Sequence, residues 1–402
     1  MNRLCFALAI CVFCFLSPSC AKKEQVVAVP NSEKPVLFYN RQPGDAESGK
    51  IDSKVLFHNE STFFVGPDAR GGGALQGAMV AEFLNGARAA AIDRNGDGII
   101  GYVLCIGSAS QMDASLRTEG VRKALGTWNG SAKARDCSFG SIKMQNEICL
   151  VQELDSRVMQ DSSGAAWSVK AASEAMAYWL RVYGDKIDMV ISNNDAMALS
   201  CIATKGFPRG IPVFGYDANA EAIAAISRGE MTGTISQNFD CQAALTMQMM
   251  RSLLDGVSGE DCVNNGIAEA DLYGNKITVP LTYDSEKRSA LIKNAAVTKA
   301  NCALFSQKNR HDGGIKPIDQ NGTEKKVLMT VYNENSFFTM QQLVPAMKYY
   351  AEALNMNLVI IKGNGRSDTS ILQEINDVSE YDGFLFNLVG TNQGRSYLER
   401  IR

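Results

Sequence analysis

The sequence predicts an α/β protein with parallel sheets that carry helices on both faces. Short apolar runs alternate with amphipathic helical patterns along most of the chain, which is typical of repeated strand–helix units. Three of the runs end in polar residues, at Asn40, Asn194 and Asp217. Since ligands bind at the carboxyl ends of the strands in such sheets, we expect these side chains to meet in one cleft.

Composition narrows the class of protein. The chain has 402 residues, of which 46% are hydrophobic and 21% are charged, and its formal net charge is −3. This length allows two or three domains with cores of their own, and the balance is that of a globular protein. No cluster of lysine and arginine forms the basic surface that nucleic acid requires, so the sequence predicts no nucleic-acid partner.

The amino-terminal residues have the pattern of a targeting signal. Arg3 precedes an apolar run over 4–16 that is too short to span a bilayer, and Leu16-Ser-Pro-Ser-Cys20 resembles a bacterial lipoprotein box. We therefore expect a signal peptide over 1–19, a lipid on Cys20, and a polar tether over 20–34. An ordinary secretory signal is the alternative. Acyl chains on Cys20 would hold the protein at the periplasmic face of the cytoplasmic membrane.

Cysteine usage leaves the disulfide pattern open. Seven cysteines follow Cys20, and an odd number cannot all pair. Cys105 lies in a predicted strand and Cys201 on a predicted helix, where each reads as a small buried hydrophobe. In an oxidising compartment two bridges are conceivable. They are Cys137 with Cys149 and Cys262 with Cys302.

The first two thirds of the chain contain most of the predicted elements. Strands are predicted over 35–40, 62–65, 101–106, 148–153, 189–191, 212–215 and 232–235. Helices are predicted over 74–91, from residue 113, over 167–183, and after each of the last three strands. The glycine run over 71–73 lacks the motif of a phosphate-binding loop, so a hinge or tight turn is expected there.

A second block begins near the carboxyl end. Residues 296–325 are polar and weakly periodic, which is typical of a linker. A new α/β unit follows, with strands predicted over 327–331, 358–361 and 383–388 and helices over 338–354, 369–378 and onward to 402. This carboxyl-terminal block lacks the second half of an α/β lobe. The first block begins with a strand that no helix precedes.

A loop of oxygen donors suggests a cation. Asp93, Asn95, Asp97 and the carbonyl of Ile99 occupy the first, third, fifth and seventh positions of a calcium loop. The twelfth position is Leu104, which excludes an EF-hand. The sequence therefore leaves two readings, a calcium site or a metal-free turn held by its own side chains.

Catalytic chemistry finds little support. The chain contains only two histidines, His58 on a predicted loop and His311 in the predicted linker. No nucleophile elbow, metal triad or paired-carboxylate motif is present. We therefore predict that the protein is not an enzyme, with an α/β enzyme as a remote alternative.

Several motifs together resemble one family. They are Pro35-Val-Leu-Phe-Tyr-Asn40-Arg-Gln-Pro43, Asp93-Arg-Asn-Gly-Asp97-Gly, Asp113-Ala-Ser-Leu-Arg117-Thr, Ser192-Asn-Asn194-Asp-Ala-Met-Ala198 and Ile211-Pro-Val-Phe-Gly-Tyr-Asp217. As a set they resemble the galactose/glucose-binding proteins of sugar ABC importers, a branch of the type I periplasmic binding proteins. The resemblance implies two doubly wound Rossmann-like lobes, a three-segment hinge, and closure of the lobes over a ligand.

The order of the blocks is rotated relative to that family. The block over 326–402 would come first there, so the resemblance implies a circular permutant whose residues 35 and 402 lie close together. It implies a first lobe of 35–68, 237–279 and 326–402, and a second lobe of 69–236 and 280–300. Residues 301–325 would join the ancestral termini. The hinge would cross near Asp68, Gln237 and Pro280.

The resemblance also implies a sugar site. Its residues would be Asn40, Gln111, Asp113, Arg117, Trp167, Asn194, Asp217, Gln237, Ser336 and Phe338. Trp167 and Phe338 would stack on the two faces of a pyranose, and the polar side chains would bind its hydroxyls. Each position has a plainer alternative: core packing for the aromatic residues, turns or caps for Asn40, Asn194 and Asp217, and a solvated charge for Arg117.

Three positions depart from the family, which has a histidine at Gln111, an asparagine at Gln237 and an aspartate where this chain has Asn335-Ser336. The last change removes an acceptor that distinguishes galactose from glucose, so we expect a preference for glucose. The match also assigns Asp188 as the distant acid of the calcium site. The implied partners are D-glucose or D-galactose, and the permease and ATPase subunits of an ABC importer, with a monomeric binding protein. Alternatives are a pentose- or nucleoside-binding protein and a surface adhesin.

Overall fold

The computed structural model describes residues 33–145, 147–257, 261–264, 270–272, 275–277, 281–305 and 322–402. Within them the chain forms two lobes, each built on a seven-stranded sheet. The predicted pair of α/β lobes is therefore confirmed. The predicted signal peptide, Cys20, His311 and most of the predicted linker lie outside the described residues.

The first sheet is the centre of the first lobe. Its strands, in spatial order, are Leu281–Asp284, Ser289–Ile292, Thr62–Pro67, Val36–Tyr39, Gly383–Phe386, Lys325–Val331 and Met356–Lys362. All neighbours run parallel except the pair at Leu281–Asp284, which is antiparallel. The neighbouring strands Val36–Tyr39 and Gly383–Phe386 are apolar throughout because helices cover both faces of the sheet.

The second sheet has the same plan. Its strands, in spatial order, are Ala295–Thr298, Gly233–Ser236, Val213–Phe214, Met189–Ser192, Ile99–Ile106, Glu147–Val158 and Asp136–Met144. The five inner strands run parallel, and an antiparallel strand lies at each edge. Short ladders also pair Ala270–Leu272 with Asn275–Ile277 and Gly44–Asp45 with Lys50–Ile51.

Helices cover both sheets. Those of the first lobe are Ser53–Leu56, Phe239–Leu254, Asp261–Asn264, Phe338–Leu343 running into Val344–Ala353, Asp368–Glu374 and Gly394–Arg400. Those of the second lobe are Ala69–Gly86, Ala89–Ile92, Met112–Ala124, Val169–Tyr183, Asp195–Ile202, Ala220–Arg228 and Cys302–Phe305. None of the helices in the described part of the chain has the length and apolarity that crossing a bilayer requires.

The glycine run over 71–73 lies inside a helix, so the predicted hinge or tight turn is wrong. The helix Ala69–Gly86 starts at Asp68, whose carboxylate accepts a hydrogen bond from the amide of Gly71 at 2.8 Å. A Cβ on Gly73 would lie 2.3 Å from the carbonyl oxygen of Leu116. The glycines therefore allow the close approach of the helix Met112–Ala124, which carries two of the predicted site residues.

Three of the crossings between the lobes lie within the described residues, and one of them corrects the prediction. It leaves the first lobe after Thr62–Pro67 and returns after Gly233–Ser236, close to the predicted positions. The third crossing lies at residues 293–294, and not at Pro280. The reason is that 281–292 belong to the first sheet through the parallel pairing of Ser289–Ile292 with Thr62–Pro67.

The crossings are tied to one another by hydrogen bonds. The Asn294 side chain donates to the carbonyl of Asp68 at 2.7 Å, and the Asn238 side chain donates to the carbonyl of Lys293 at 2.6 Å. Tyr216 of the second lobe donates its hydroxyl hydrogen to Asn294 at 3.0 Å. The three connecting segments therefore form one bonded unit at the base of the cleft.

The predicted linker starts too early. Ala295–Thr298 pairs with Gly233–Ser236, and Cys302–Phe305 packs its buried side chains into the core of the second lobe. Residues 301–305 therefore belong to that lobe. Polar composition hid these elements because only a few of their side chains face the core.

Neither disulfide pair is supported. Cys262 packs in the core of the first lobe and Cys302 in that of the second. In the hairpin, Cys149 lies opposite Ile142 on the neighbouring strand, several residues away from the exposed Cys137. Both pairs are therefore separated by the fold itself.

Candidate functional site

A cavity with about 300 Å³ of space between atoms lies between the lobes. Nine of the ten predicted ligand residues line it, and Gln111 does not. The lining residues are Asn40, Arg41, Asp113, Arg117, Trp167, Asn194, Asp217, Gln237, Tyr332, Ser336, Phe338 and Thr339. Both lobes contribute, so closure or opening of the cleft would assemble or separate the set.

Strand ends supply the polar floor of the cavity. Asn40 follows Val36–Tyr39, Asn194 lies two residues after Met189–Ser192, and Asp217 lies three residues after Val213–Phe214. These strands are parallel to their neighbours, so their carboxyl ends face the cleft in each lobe.

The backbone holds three of these residues in an unusual conformation. Asn40, Trp167 and Asp217 have φ values of 60°, 61° and 118°, which side-chain-bearing residues rarely adopt. Such strain costs about 1–3 kcal/mol per residue and tends to occur at binding sites. Gly107 completes the arrangement, because a Cβ there would lie 2.2 Å from the Trp167 ring. The ring therefore rests directly on the backbone of the second lobe.

Arg117 organises the charge of the site. It is 3% exposed, so the alternative of a solvated charge is wrong. Its guanidinium lies 3.7 Å from the Tyr216 ring centre and donates to the carbonyl of Asn193 at 2.7 Å. It also lies 3.7 Å from a carboxylate oxygen of Asp113 and 3.8 Å from one of Asp217.

The carboxyl of Asp217 has a raised pKa. Burial raises the pKa of its carboxyl to about 7, an effect that Arg117 and a hydrogen bond from Gln237 partly offset. The Gln237 amide donates to the Asp217 carboxylate at 2.5 Å. A ligand hydroxyl that donates to this carboxylate would favour its ionised form.

Several polar atoms in the cavity wall are buried without a hydrogen-bond partner among the described residues. They are Asp113 Oδ1, Arg117 Nε, Gln237 Oε1 and Arg41 Nε. Leaving such atoms unsatisfied costs about 1–3 kcal/mol each. The set contains both donors and acceptors, which matches a polyol, since each hydroxyl can do both.

Asn194 combines two roles. Its side-chain oxygen caps the helix Asp195–Ile202 by accepting from the amide of Met197 at 2.9 Å. The capping alternative for this residue is therefore realised, while the residue still lines the cavity. Its amide NH₂ group can donate to a ligand without breaking the cap.

Sequence reasoning missed Arg41, Tyr332 and Thr339. The guanidinium of Arg41 lies 3.2 Å from the Tyr332 ring centre and donates to the carbonyl of Leu388 at 3.2 Å. Two signals could have found the first two residues. Arg41 is adjacent to Asn40, and Tyr332 directly follows the strand Lys325–Val331.

Gln111 does not line the cavity, in contrast to its prediction as a ligand residue. Its side chain accepts a hydrogen bond from the Trp167 indole at 2.5 Å and donates to the carbonyl of Val389 at 2.7 Å. Both polar ends of the amide are thus occupied by protein groups.

The calcium loop closes on itself. Asp93 accepts from the amides of Gly96 and Gly98 at 2.8 Å each, and one carboxylate oxygen of Asp97 accepts from the amide of Ile99 at 2.9 Å. The Asn95 side chain donates to Asp97 at 2.8 Å, which turns its NH₂ group toward the acid. These bonds are those of a metal-free turn.

Asp188, which directly precedes the strand Met189–Ser192, also binds this loop. Its carboxylate accepts from the amides of Arg94 and Gly101 at 2.8 Å each, and burial raises its pKa to about 6. Among the described residues no three acidic, histidine or cysteine side chains are grouped to hold a metal. Backbone amides occupy the carboxylates of the loop in this structure, and the calcium site stays a prediction from sequence.

A larger groove of about 1460 Å³ lies on the second lobe, between Phe83 and Met231. Its wall is mainly apolar and none of the predicted ligand residues lines it. It therefore lacks the converging polar groups that the interlobe cavity provides.

Comparison with known proteins agrees with the fold and with the division of the chain. A family model described as a periplasmic binding protein domain matches residues 33–258, and a second model with the same description matches 324–394. The chain is 30% identical over 229 residues to the D-galactose/methyl-galactoside binding periplasmic protein MglB of Haemophilus influenzae, covering 56% of this chain and 59% of that protein. It is 31% identical over 99 residues to a xylitol-binding protein of Mycolicibacterium smegmatis, covering 24% and 28%.

Two solved structures show a limited similarity to this chain. One is an ABC transporter periplasmic solute binding protein from Actinobacillus succinogenes with bound D-allose, at a TM-score of 0.43, 16% identity, and coverage of 67% of this chain and 70% of that one. Another is a solute binding protein from Bacillus halodurans with bound myo-inositol, at a TM-score of 0.40, 20% identity, and coverage of 68% of each chain. The first family model alone spans more than half of the sequence, and the chain belongs to the periplasmic binding protein family.

Proposed function

We propose that this protein is the substrate-binding subunit of an ABC sugar importer and that it captures a neutral monosaccharide between its lobes. The observation that carries the proposal is the mixed set of buried donors and acceptors without partners, beside the aromatic rings of Trp167 and Phe338. Hydroxyl groups would satisfy both kinds of atom, and the rings offer the flat apolar surface that a pyranose face requires. The family and the printed name of the Haemophilus relative support the same class of ligand.

D-Glucose is the proposed ligand, with D-galactose weaker. Ser336 lines the cavity and its hydroxyl donates to Thr339 at 3.0 Å, so this position offers no carboxylate to a ligand hydroxyl. Isothermal titration calorimetry with both epimers tests the preference. We expect tighter binding of glucose, and equal or reversed affinities would contradict it.

A pentose is the second candidate. Two observations favour a smaller sugar: Gln111 is withdrawn from the cavity, and the Arg41 side chain fills space beside Tyr332. D-Ribose in the same titration decides between the two, because it lacks the hydroxymethyl group that a hexose must place.

The sequence of the first 20 residues supports a place at the periplasmic face of the cytoplasmic membrane. We propose that lipid on Cys20 anchors the protein and that permease and ATPase subunits receive its ligand. Globomycin-sensitive processing and labelling with radioactive palmitate test the anchor. A Cys20→Ala variant that still takes up labelled palmitate would contradict it.

We also propose that the chain order is a circular permutation. The strand Gly383–Phe386 is followed by the helix Gly394–Arg400 and lies parallel to Val36–Tyr39, as in a strand–helix–strand unit with an open connection. The segment at residues 58–59 lies near both new ends. Asn59 donates to the carbonyl of Lys34, and the charge of Arg402 adds to the burial that lowers the pKa of His58.

A chain in which 322–402 precedes 33–305 through a short glycine–serine linker tests the permutation. We expect it to fold with the same sugar preference. Failure to fold, with the natural order folding under the same conditions, would contradict the proposal.

A further inference from the structure

Gln111 stands at an unusual place for a buried amide. It is the residue that precedes the helix Met112–Ala124, and its side chain makes no capping bond to that helix. It is 1% exposed. The amide is therefore free of the local role that polar residues at helix starts often have.

Its two hydrogen bonds join different lobes. The indole N–H of Trp167 in the second lobe donates to Gln111 Oε1, and Gln111 Nε2 donates to the carbonyl of Val389 in the first lobe. Only the oxygen can accept and only the NH₂ group can donate, so the two partners fix the orientation of the amide. Trp167 itself packs against the cores of both lobes.

The first-lobe side of this contact is rigid. The amides of Val389 and Gly390 each donate to the buried carboxylate of Asp368 at 2.8 Å, and the Tyr397 hydroxyl donates to the same group at 2.8 Å. The Val389 carbonyl is therefore held in place when Gln111 reaches it.

Adjacent backbone groups extend the same contact. The amide of Thr391 donates to the carbonyl of Ser110 at 3.2 Å, and the amide of Met112 donates to the Thr391 hydroxyl at 3.2 Å. None of these bonds involves a cavity-lining side chain other than Trp167. The lobes thus have a contact at this edge of the cleft that protein groups alone complete.

We infer that Gln111 is a positioning residue that couples the orientation of the Trp167 ring to closure of the lobes. When the lobes separate, the hydrogen bond from Gln111 to Val389 breaks, and the Gln111 amide that binds the Trp167 indole can rotate. When the lobes close, both ends of the Gln111 amide are bonded, which fixes the orientation of the Trp167 ring. Gln111 therefore slows ligand release without touching the ligand, a consequence that rests on the proposed sugar-binding function.

Two substitutions test the inference. Gln111→Met keeps the length of the side chain and removes both hydrogen bonds. Gln111→Asn keeps the amide but is one methylene shorter, so it cannot reach both partners. Should Gln111→Met fail to fold, Gln111→Asn decides the question.

Gln76 provides a matched control. It is fully buried, and its NH₂ group donates to the carbonyls of Ser192 and Gly215 at 2.8 and 2.9 Å, all within the second lobe. Gln76→Met therefore removes two buried bonds of the same kind without affecting any contact between the lobes.

The first readout needs no ligand. In a Trp128→Phe background, quenching by iodide reports on Trp167, because Trp179 is fully buried. We expect both Gln111 variants to raise the quenching constant of Trp167 and the radius of gyration from X-ray scattering, and Gln76→Met to change neither. Unchanged quenching and scattering in the Gln111 variants, or equal changes in the control, would overturn the inference.

The second readout is stopped-flow kinetics with D-glucose and D-ribose. Loss of the contact should raise the dissociation rate about tenfold, the effect of about 1.4 kcal/mol, and leave the association rate within about twofold. An effect on association alone would contradict the coupling. If neither sugar binds the wild-type protein, the proposed function fails, while the quenching result still decides the role of Gln111.

Discussion

The carboxyl of Asp217 gives the sharpest prediction about stability. Its pKa in the folded protein is about 7, because burial disfavours its charged form. In the unfolded chain the pKa returns to the usual value near 4. Folding therefore takes up a proton between about pH 4 and pH 7, and the free energy of unfolding falls as the pH rises through this window.

The size of the effect follows from the width of the window. Over roughly two of the pH units between about pH 8 and pH 5, Asp217 holds a proton in the folded protein but not in the unfolded chain. This raises the free energy of unfolding by about 2.7 kcal/mol. The ligand-free wild type should gain this much stability on acidification relative to Asp217→Asn, which cannot titrate. Asp188, whose pKa does not depend on Asp217, titrates alike in both proteins and cancels in the difference, whereas Asp195, whose pKa the Asp217 charge helps to raise, adds a smaller difference of its own.

Urea unfolding of the two proteins at about pH 5 and pH 8, followed by circular dichroism, measures the difference. The result that would refute the reasoning is an equal pH dependence in wild type and variant. It would mean that Asp217 is not desolvated in the ligand-free protein. A larger gain in the variant would reverse the sign of the argument altogether.

Two further predictions concern packing and metal. Gly107→Ala places a Cβ 2.2 Å from the Trp167 ring, so we expect at least about a tenfold loss of sugar affinity. The control Gly86→Ala, whose Cβ meets nothing within 4 Å, should leave the affinity unchanged. Calorimetry measures the affinity of both variants, and equal affinities would contradict the packing. Because the loop at Asp93 is closed by its own hydrogen bonds, millimolar calcium should not shift the melting temperature relative to EDTA, and a rise that Asp93→Asn abolishes would restore the calcium site that the sequence predicts.

Strand ends made much of the site predictable. Asn40, Asn194 and Asp217 each follow a short apolar run, and parallel sheets bring such positions to one edge. The same rule would have found Tyr332. It could not find the role of Gln111, because an amide beside a cleft can face either the ligand or the opposite lobe, and only the position of Val389 decides this.

The third crossing was less predictable for a different reason. Residues 281–298 form three short strands whose polar and apolar residues are mixed, and nothing local shows which sheet each one joins. The pairing of Ser289–Ile292 with Thr62–Pro67 is set by contacts more than two hundred residues apart in sequence. Tertiary context therefore fixed what the local pattern left open.

The central claim is that two lobes enclose a neutral sugar against Trp167. Fluorescence of the Trp128→Phe protein during titration with D-glucose, D-galactose, D-ribose and inosine tests it most directly, since Trp167 is then the only cavity-lining tryptophan and Trp179 is buried. We expect a saturable change at the lowest concentration with D-glucose, a weaker response to D-galactose, and loss of both in Trp167→Ala. A folded protein whose emission stays flat with every one of them, and whose calorimetry shows no heat, would contradict the account.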